Sequence, residues 1–446
     1  MAARPWFQWL FMWGSLVGIW WAWATVSPIP PWQNVKPLVA PLHPRALKPL
    51  PLGNLATMDE SSPLALSNGE APELAFLDSV ADNLPEAWAL TGNTSAWFAL
   101  HGFFQRLERA KSRRVEVYHW GDSQIEGDRI TGLLRASWQQ RFGGRGPGWV
   151  LPNTPAQTTA TLESQRGTLI RKAGFGRGKT RDALRLPFFA VNTAADTVQW
   201  SIQGATKSSA SLGAWNVSEV WLTDTSHSAL LWSQGDANLH PVTVHANAQG
   251  WRHPGQRSPL RFAFANLTTT GVFLGSESGV LVHNLPMRGA SGTLFDNVDQ
   301  AHWDALREAH PPSLIVLQYG GNAVPGVGSA AEARTYARHM ATNIRFLRGQ
   351  FPGVPVVFVG PSDMGASEST YPGLPWVIGA LREAVWEAGA LYWDVQAVMG
   401  GPGSMAQWVR KGWASDDHVH FTRRGAREIA TRLEWALNVE WKAMRP

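Results

Sequence analysis

The chain has 446 residues, a formal net charge of +5 and no cysteine. The missing cysteines exclude disulfides, thiol catalysis and a lipobox-type lipid anchor, and no His/Asp/Glu grouping has metal-ligand spacing. The mild positive charge suits anionic surroundings such as a cell wall or lipid headgroups and does not by itself indicate nucleic acid.

No charged residue occurs between Pro5 and Val26, and Arg4 precedes this run. Trp6 to Trp23 is dense in Trp, Phe, Leu and Ile. Its length suits a membrane-spanning helix, which needs ~20 apolar residues, and its tryptophans sit at both ends as an interfacial belt would have them. A cleaved signal peptide is the alternative, with Ala22-Trp23-Ala24 as the small-x-small site. The length favours an uncleaved anchor with a cytoplasmic N-terminus, and either reading exports the remainder of the chain. Residues 27–84 are rich in proline, including Pro28, Pro30, Pro31, Pro37, Pro41 and Pro44. Such a segment is extended and semi-rigid, a spacer between membrane and domain. Helical periodicity starts with Ala87 to Ala110.

Val115 to Trp120 alternates and is β-prone, so it predicts a strand. Gly121-Asp122-Ser123-Gln124-Ile125-Glu126-Gly127-Asp128 comes next. Beyond it Ile130, Leu133, Leu134, Trp138 and Phe142 keep helical spacing until Gly143-Gly144. Ser123 is thereby placed on a strand-to-helix turn at the carboxyl end of a strand, where open α/β sheets hold ligands. A helix N-terminus behind it would offer free N–H groups to a developing oxyanion. The turn differs from the G-x-S-x-G elbow because Ile125 stands at the second glycine's place.

From about Leu151 to Phe273 no helix is evident. Short alternating runs replace it: Thr197 to Ile202, Val217 to Leu222, Ala229 to Trp232, Val242 to His245 and Leu260 to Phe264. Several strands at such spacing predict a β-sandwich or jelly roll, inserted as a domain rather than a loop. Trp200, Trp215, Trp221, Trp232 and Trp251 fall here, either to fill the sandwich core or to stack on sugar rings.

Strand and helix alternate again from about residue 280, which predicts a parallel sheet. Helical patterns cover Phe295 to Ala309, Ala331 to Leu347 and Val377 to Ala388. Strands cover Leu314 to Tyr319, Pro355 to Gly360 and Ala390 to Val395. Gly320-Gly321-Asn322 succeeds the first of these strands. Asp363 and Asp394 stand near strand ends, as cleft residues or as plain turn positions. Asp417-His418-Val419-His420 precedes a closing amphipathic helix at Arg427 to Leu433. The Asp-x-x-His spacing lets Asp417 reach Nδ1 of His420 while Nε2 faces a serine, the arrangement of a nucleophilic hydrolase. Asp416 and His418 fit that geometry less well.

These blocks resemble the SGNH (GDSL-type) hydrolase superfamily. Gly121-Asp122-Ser123 resembles its nucleophile block, Gly320-Gly321-Asn322 its Gly-x-Asn block, and Asp417 to His420 its last block. The resemblance implies a catalytic triad of Ser123, Asp417 and His420. It also implies an oxyanion hole from the Ser123 N–H, the Asn322 amide and one glycine N–H. In Arg288-Gly289-Ala290-Ser291-Gly292-Thr293 that glycine is taken as Gly292, with Gly289 as the alternative.

Within the superfamily the layout resembles bacterial peptidoglycan O-acetylesterases, an SGNH core with a carbohydrate-binding-module-like β domain inserted after the first block. Their first block resembles Gly-Asp-Ser-His-x-x-Gly-Asp, from which Gln124 departs, and Ser276 to Gly292 resembles their return to the core. The expected fold is therefore α/β, a doubly wound parallel sheet with an inserted all-β, jelly-roll-like domain behind an N-terminal membrane helix. The expected divisions are 1–26 anchor or signal peptide, 27–84 linker, 85–150 first part of the core, 151–274 insertion and 275–446 second part. The implied function is an exported serine esterase without metal or cofactor. Its partners would be an O-acetylated envelope polysaccharide, peptidoglycan foremost, and the inner membrane through the N-terminal helix. It would face the periplasm, or be secreted there if the N-terminus is cleaved, and no nucleic acid is expected. An O-acetyltransferase on the same scaffold and a non-catalytic wall-binding protein are the alternatives.

Overall fold

The computed structural model describes residues 85–444, except 155–157, 206–212, 225–228, 235–239, 243–246, 253–258, 266 and 366–368; over 224–258 it describes the backbone alone. The membrane helix expected at 1–26 and the linker at 27–84 lie outside these residues. Among the described residues no helix is long and apolar enough to cross a membrane.

Helix α1 (Thr94–Glu108) begins where the Asn93 side chain accepts from the Ala96 N–H, and leads into β1 (Arg114–Gly121). Every residue of β1 but Arg114 is buried, as expected of a strand covered on both faces. Helix α2 (Thr131–Phe142) stops at Gly143, which has φ +78. The antiparallel strands come after it: β2 (Gly148–Val150), β3 (Thr161–Arg166), β4 (Leu169–Ala173), β5 (Ala190–Ala194), β6 (Val198–Gly204) and β7 (Val217–Asp224). They continue with β8 (Ala229–Gln234), β9 (His240–Val242), β10 (Asn247–Arg252), β11 (Leu260–Ala265) and β12 (Thr268–Gly275). The chain then alternates β13 (Gly279–Pro286), α3 (Gln300–Ala309), β14 (Leu314–Gln318), α4 (Ala330–Gln350), β15 (Val356–Val359), α5 (Leu374–Glu387) and β16 (Leu391–Trp393). Helices α6 (Val395–Met399), α7 (Ser404–Arg410) and α8 (Arg423–Ala443) complete it.

The five strands β13-β1-β14-β15-β16 form one parallel sheet in that order. Strand β1 is its switch point: the chain first adds β13 on one side, then β14 on the other. A crevice opens at the carboxyl ends of such strands. Side chains alternate cleanly across the sheet. Val115, Val117, Val280, Val282, Leu314 and Val316 face the layer of α1, α2 and α8. Tyr118, Trp120, Leu281, Leu285, Ile315 and Leu317 face α3, α4 and α5.

Two antiparallel sheets, β10-β7-β12-β5-β4 with β2 on β12, and β3-β6-β11-β8-β9, make up the insertion. They share an apolar cluster that includes Val220, Leu222 and Val272 from the first and Trp200, Ile202 and Phe262 from the second. The α/β class, the parallel sheet and the inserted antiparallel sheets therefore match the expectation. Periodicity missed β2, β3, β4, β5, β10 and β12, which are too short or too irregular in their apolar spacing to show alternation.

A buried charge cluster fastens the insertion to the sheet. His310, after α3, lies 3.0 Å from Glu116 Oε1 on β1 through Nδ1 and 2.7 Å from Glu219 Oε2 on β7 through Nε2. Glu116 also accepts from His283 Nε2 on β13 at 3.0 Å, and the other His283 nitrogen accepts from the Trp149 N–H. Burial alone would lower the His310 pKa, but the two carboxylates raise it to about 9. The charged form of His310 is thus favoured, and the Arg114 guanidinium, 3.0 Å from Nδ1, shares the Glu116 carboxylate with it. Burial would raise the Glu116 carboxyl, and the two imidazoles hold it well below its usual range instead. His283, lowered chiefly by burial, stays neutral.

Removing the cation leaves Glu219 without its imidazole and Glu116 with only Arg114 and His283, and breaking such a buried pair costs up to about 3–5 kcal/mol. His310→Ala is therefore expected to lose that much in urea unfolding at pH 7. Because the folded pKa of His310 is raised, its contribution is whole below the unfolded value of 6.5 and fades as pH climbs through about 9. Wild-type stability should accordingly decline between pH 7 and 10, and the variant's decline should be shallower over that interval.

Candidate active site

Loops from the carboxyl ends of the parallel strands wall a cavity of about 690 Å³. Asp122 and Ser123 follow β1, Arg288 and Gly289 follow β13, and Gly321 and Asn322 follow β14. Pro361 and Ser362 follow β15, and His420 comes from the loop before α8.

Ser123 does not open an α-helix as the sequence suggested. Residues Ser123–Asp128 form a tight 3-10 turn that breaks at Glu126 and Gly127, and α2 starts only at Thr131. Gly127 has φ +62 and Asp128 has φ +57, left-handed values that glycine adopts at no cost and Asp more readily than most residues. Asp128 is held there by its 3.0 Å ion pair with buried Arg135 and by Thr158 Oγ1 and the Thr159 N–H at the start of the insertion. The turn is capped by Asp122, whose Oδ1 accepts from the Gln124 N–H at 2.9 Å.

Ser123 Oγ lies 2.8 Å from His420 Nε2, and His420 Nδ1 lies 2.7 Å from Asp417 Oδ2. A carboxylate on Nδ1 fixes the proton there, so Nε2 is the acceptor for the serine hydroxyl. The other oxygen, Asp417 Oδ1, accepts from the Val419 and His420 N–H groups, both at 2.9 Å. Burial would raise the Asp417 pKa, but these bonds outweigh it and hold the carboxyl below its usual range. His418, with φ +55, makes the bend between the two partners, while Asp416 is exposed and outside the chain of bonds.

Two further side chains bind the histidine loop to the serine turn. The Gln124 amide donates from Nε2 to the Val419 carbonyl at 2.7 Å and accepts from the Phe421 N–H at 3.3 Å, bracketing His420. Arg129 donates to the Glu126 carbonyl at 3.1 Å, to the Phe421 carbonyl at 3.0 Å and to the Ser123 carbonyl. The sequence marks Gln124 only as a departure from a histidine and gives no sign of Arg129. Their partners are backbone groups, which leave no residue-type signal.

Asn322 Nδ2 donates to Asp122 Oδ2 at 3.2 Å and to the Ala290 carbonyl at 3.1 Å. Burial pushes the Asp122 carboxyl up to about 6, against the lowering effect of its bond from Gln124. The preference for Gly292 over Gly289 needs correction. Gly292 does not line the cavity; a Cβ there would sit 2.5 Å from the Tyr319 ring, so this glycine exists for packing. Gly289 does line the cavity, with open space around its α-carbon. The tryptophans Trp200, Trp215 and Trp221 are buried in the insertion and cannot stack on a sugar, while the side chains of Trp232 and Trp251 lie outside those described. Asp363 is a buried structural acceptor for Gln396 Nε2 and the Met405 N–H, both at 2.9 Å, and Asp394 caps α6.

A GDSL-like lipase/acylhydrolase family matches residues 247–428, a span that includes Asn322, Asp417 and His420 but not Ser123. The structure is similar to that of a peptidoglycan O-acetylesterase, with TM-score 0.63 and 20% identity, covering 79% of this chain and 99% of the other. At that identity the likeness speaks for the fold, insertion included. An acetylxylan esterase from Geobacillus stearothermophilus matches with TM-score 0.27 and 18% identity over 37% of this chain and 75% of its own. A carbohydrate esterase family 2 enzyme with a carbohydrate-binding domain, from Corynascus thermopiles, matches with TM-score 0.26 and 11% identity over 62% and 98%. No curated protein matches the sequence. Residues 247–428 of the chain thus match the GDSL-like lipase/acylhydrolase family, and the fold around them is like that of a peptidoglycan O-acetylesterase.

Proposed function

We propose that this chain is an exported serine esterase that removes O-acetyl groups from a cell-envelope polysaccharide, with peptidoglycan the leading candidate. The single observation that supports it best is the unbroken hydrogen-bonded chain from Ser123 through His420 to Asp417 at the wall of an open cavity. The apolar N-terminal run and the proline-rich stretch after it support attachment to the inner membrane with the catalytic part in the periplasm. The substrate assignment draws on the structural likeness to a peptidoglycan O-acetylesterase, taken as a guide.

In this reading His420 Nε2 takes the Ser123 proton as Oγ attacks the acetyl carbonyl. Asp417 holds the imidazole in register and stabilises the imidazolium. The oxyanion is received by the Ser123 N–H, the Gly289 N–H and the Asn322 amide, which turns from Ala290 or shares its hydrogen. One such donor contributes about 3–4 kcal/mol to the transition state. His420 then returns its proton to the departing sugar hydroxyl. Water, activated by the same imidazole, attacks the acetyl-enzyme and releases acetate.

Ser123→Ala is expected to abolish acetate release from O-acetylated peptidoglycan and 4-nitrophenyl acetate, by at least about a thousandfold in kcat. Full activity in that variant would overturn the proposal. Asp417→Asn should lower kcat by roughly 10⁴ because the imidazole loses its tautomer, with KM little changed. Gln124→Ala should also act on kcat rather than KM, by about tenfold to a hundredfold, since a shift near 1 Å at the reacting groups has that cost. Its labelling rate with a serine-directed phosphonate should fall in parallel; an unchanged rate would show that the amide bracket does not position His420.

A further inference from the structure

Three guanidinium groups line the cavity, those of Arg129, Arg288 and Arg423. Two are engaged. Arg129 is spent on backbone carbonyls of the serine and histidine loops. Arg288 forks onto the Glu126 carboxylate, with Nε 2.7 Å from Oε1. Arg423 is different: it opens α8 just beyond His420, it is exposed, and it has no hydrogen-bond or ion-pair partner among the described residues. Burial shifts its pKa downward and no carboxylate offsets that. The acidic groups of the same wall are already committed. Glu126 is neutralised by Arg288, and Asp122 is buried beneath the surface with its oxygens on Gln124 and Asn322. Among the described residues, the cavity beside Ser123 therefore carries one uncompensated, forked cation.

A guanidinium binds carboxylate bidentately and in preference to neutral hydroxyls, which an esterase for neutral glycans has no use for. Resting on the esterase reading above, we infer that Arg423 binds a carboxylate on the substrate, so that the acetyl ester delivered to Ser123 is borne by an anionic glycan. Two sources share this chemistry: a uronate carboxylate on the sugar ring, or a carboxylate on a lactyl or peptide substituent of an amino sugar.

The test compares kcat/KM of the wild type, Arg423→Gln and Arg423→Lys on three substrates. These are acetylated xylo-oligosaccharides as the neutral glycan, acetylated oligomannuronate, and O-acetylated muropeptides with free carboxylates. The wild type should favour one anionic substrate over the neutral one, and added salt should shrink that preference. In Arg423→Gln the anionic-to-neutral ratio should fall about tenfold, the loss expected for one charge-assisted bond and carried by KM. Arg423→Lys should keep an intermediate ratio, which a merely structural role would not produce. The anionic arm that shows the fall identifies the carboxylate's source. Equal losses on neutral and anionic substrates in Arg423→Gln, or a wild type without anionic preference, overturn the inference while leaving the esterase reading standing. A wild type that hydrolyses no acetyl ester overturns both.

Discussion

An imidazole has to be held at hydrogen-bond distance from a hydroxyl that lies 297 residues away in the chain. Much of the molecule serves that distance. The serine is fixed by β1 in the middle of a sheet buried on both faces, so its position is inherited from rigid backbone. The histidine sits on a loop, and loops drift unless tied. This one is tied several times: Ala414 pairs with Phe421, the Ser415 N–H donates to the His420 carbonyl at 2.8 Å, and Thr422 caps α8. Gln124 and Arg129 then join loop to turn directly. A neutral amide and an arginine bonded to carbonyls keep their bonds across the pH range in which an imidazole works.

The insertion belongs to this frame mechanically. Its first strand β2 and last strand β12 pair with one another, and β12 runs into β13 through a short turn. Trp149, Val217, Trp221 and Phe273 contribute to the same buried cluster as the parallel sheet's Tyr118 and Leu281. Polar groups at that seam are paired among Glu116, His283, His310 and Glu219. Such a network confers orientation, because its bonds form in one relative placement of the layers only.

The sequence made the α/β core legible because its strands are buried on both sides and its helices repeat at 3.6 residues. Leu314 to Gln318, Ala330 to Gln350 and Leu374 to Glu387 stand close to where periodicity put them. Ser123, Asn322, Asp417 and His420 could be singled out because each sits in a short block at a strand end or in a loop, and the fold brings Ser123, Asn322 and His420 to one cavity with Asp417 bonded behind the imidazole. Three things were hidden. The 3-10 turn after Ser123 depends on the left-handed backbone at Gly127 and Asp128, which helical spacing of Ile130 onward masks. Gly289 and Gly292 differ only in what surrounds them, open space for one and the Tyr319 ring for the other. The His310 cluster unites four segments whose charges look, one at a time, like ordinary surface residues.

The common cluster of Trp149, Phe273 and Tyr118 has a consequence for modularity. A lectin-like module strung on a flexible tether can be cut away and its enzyme left intact. Here excision would strip aromatic rings from the enzyme's own interior and leave β13 without its lead-in strand. Sheet and sandwich should therefore melt in one cooperative transition, and evolution could exchange the sandwich only together with the face of the sheet beneath it.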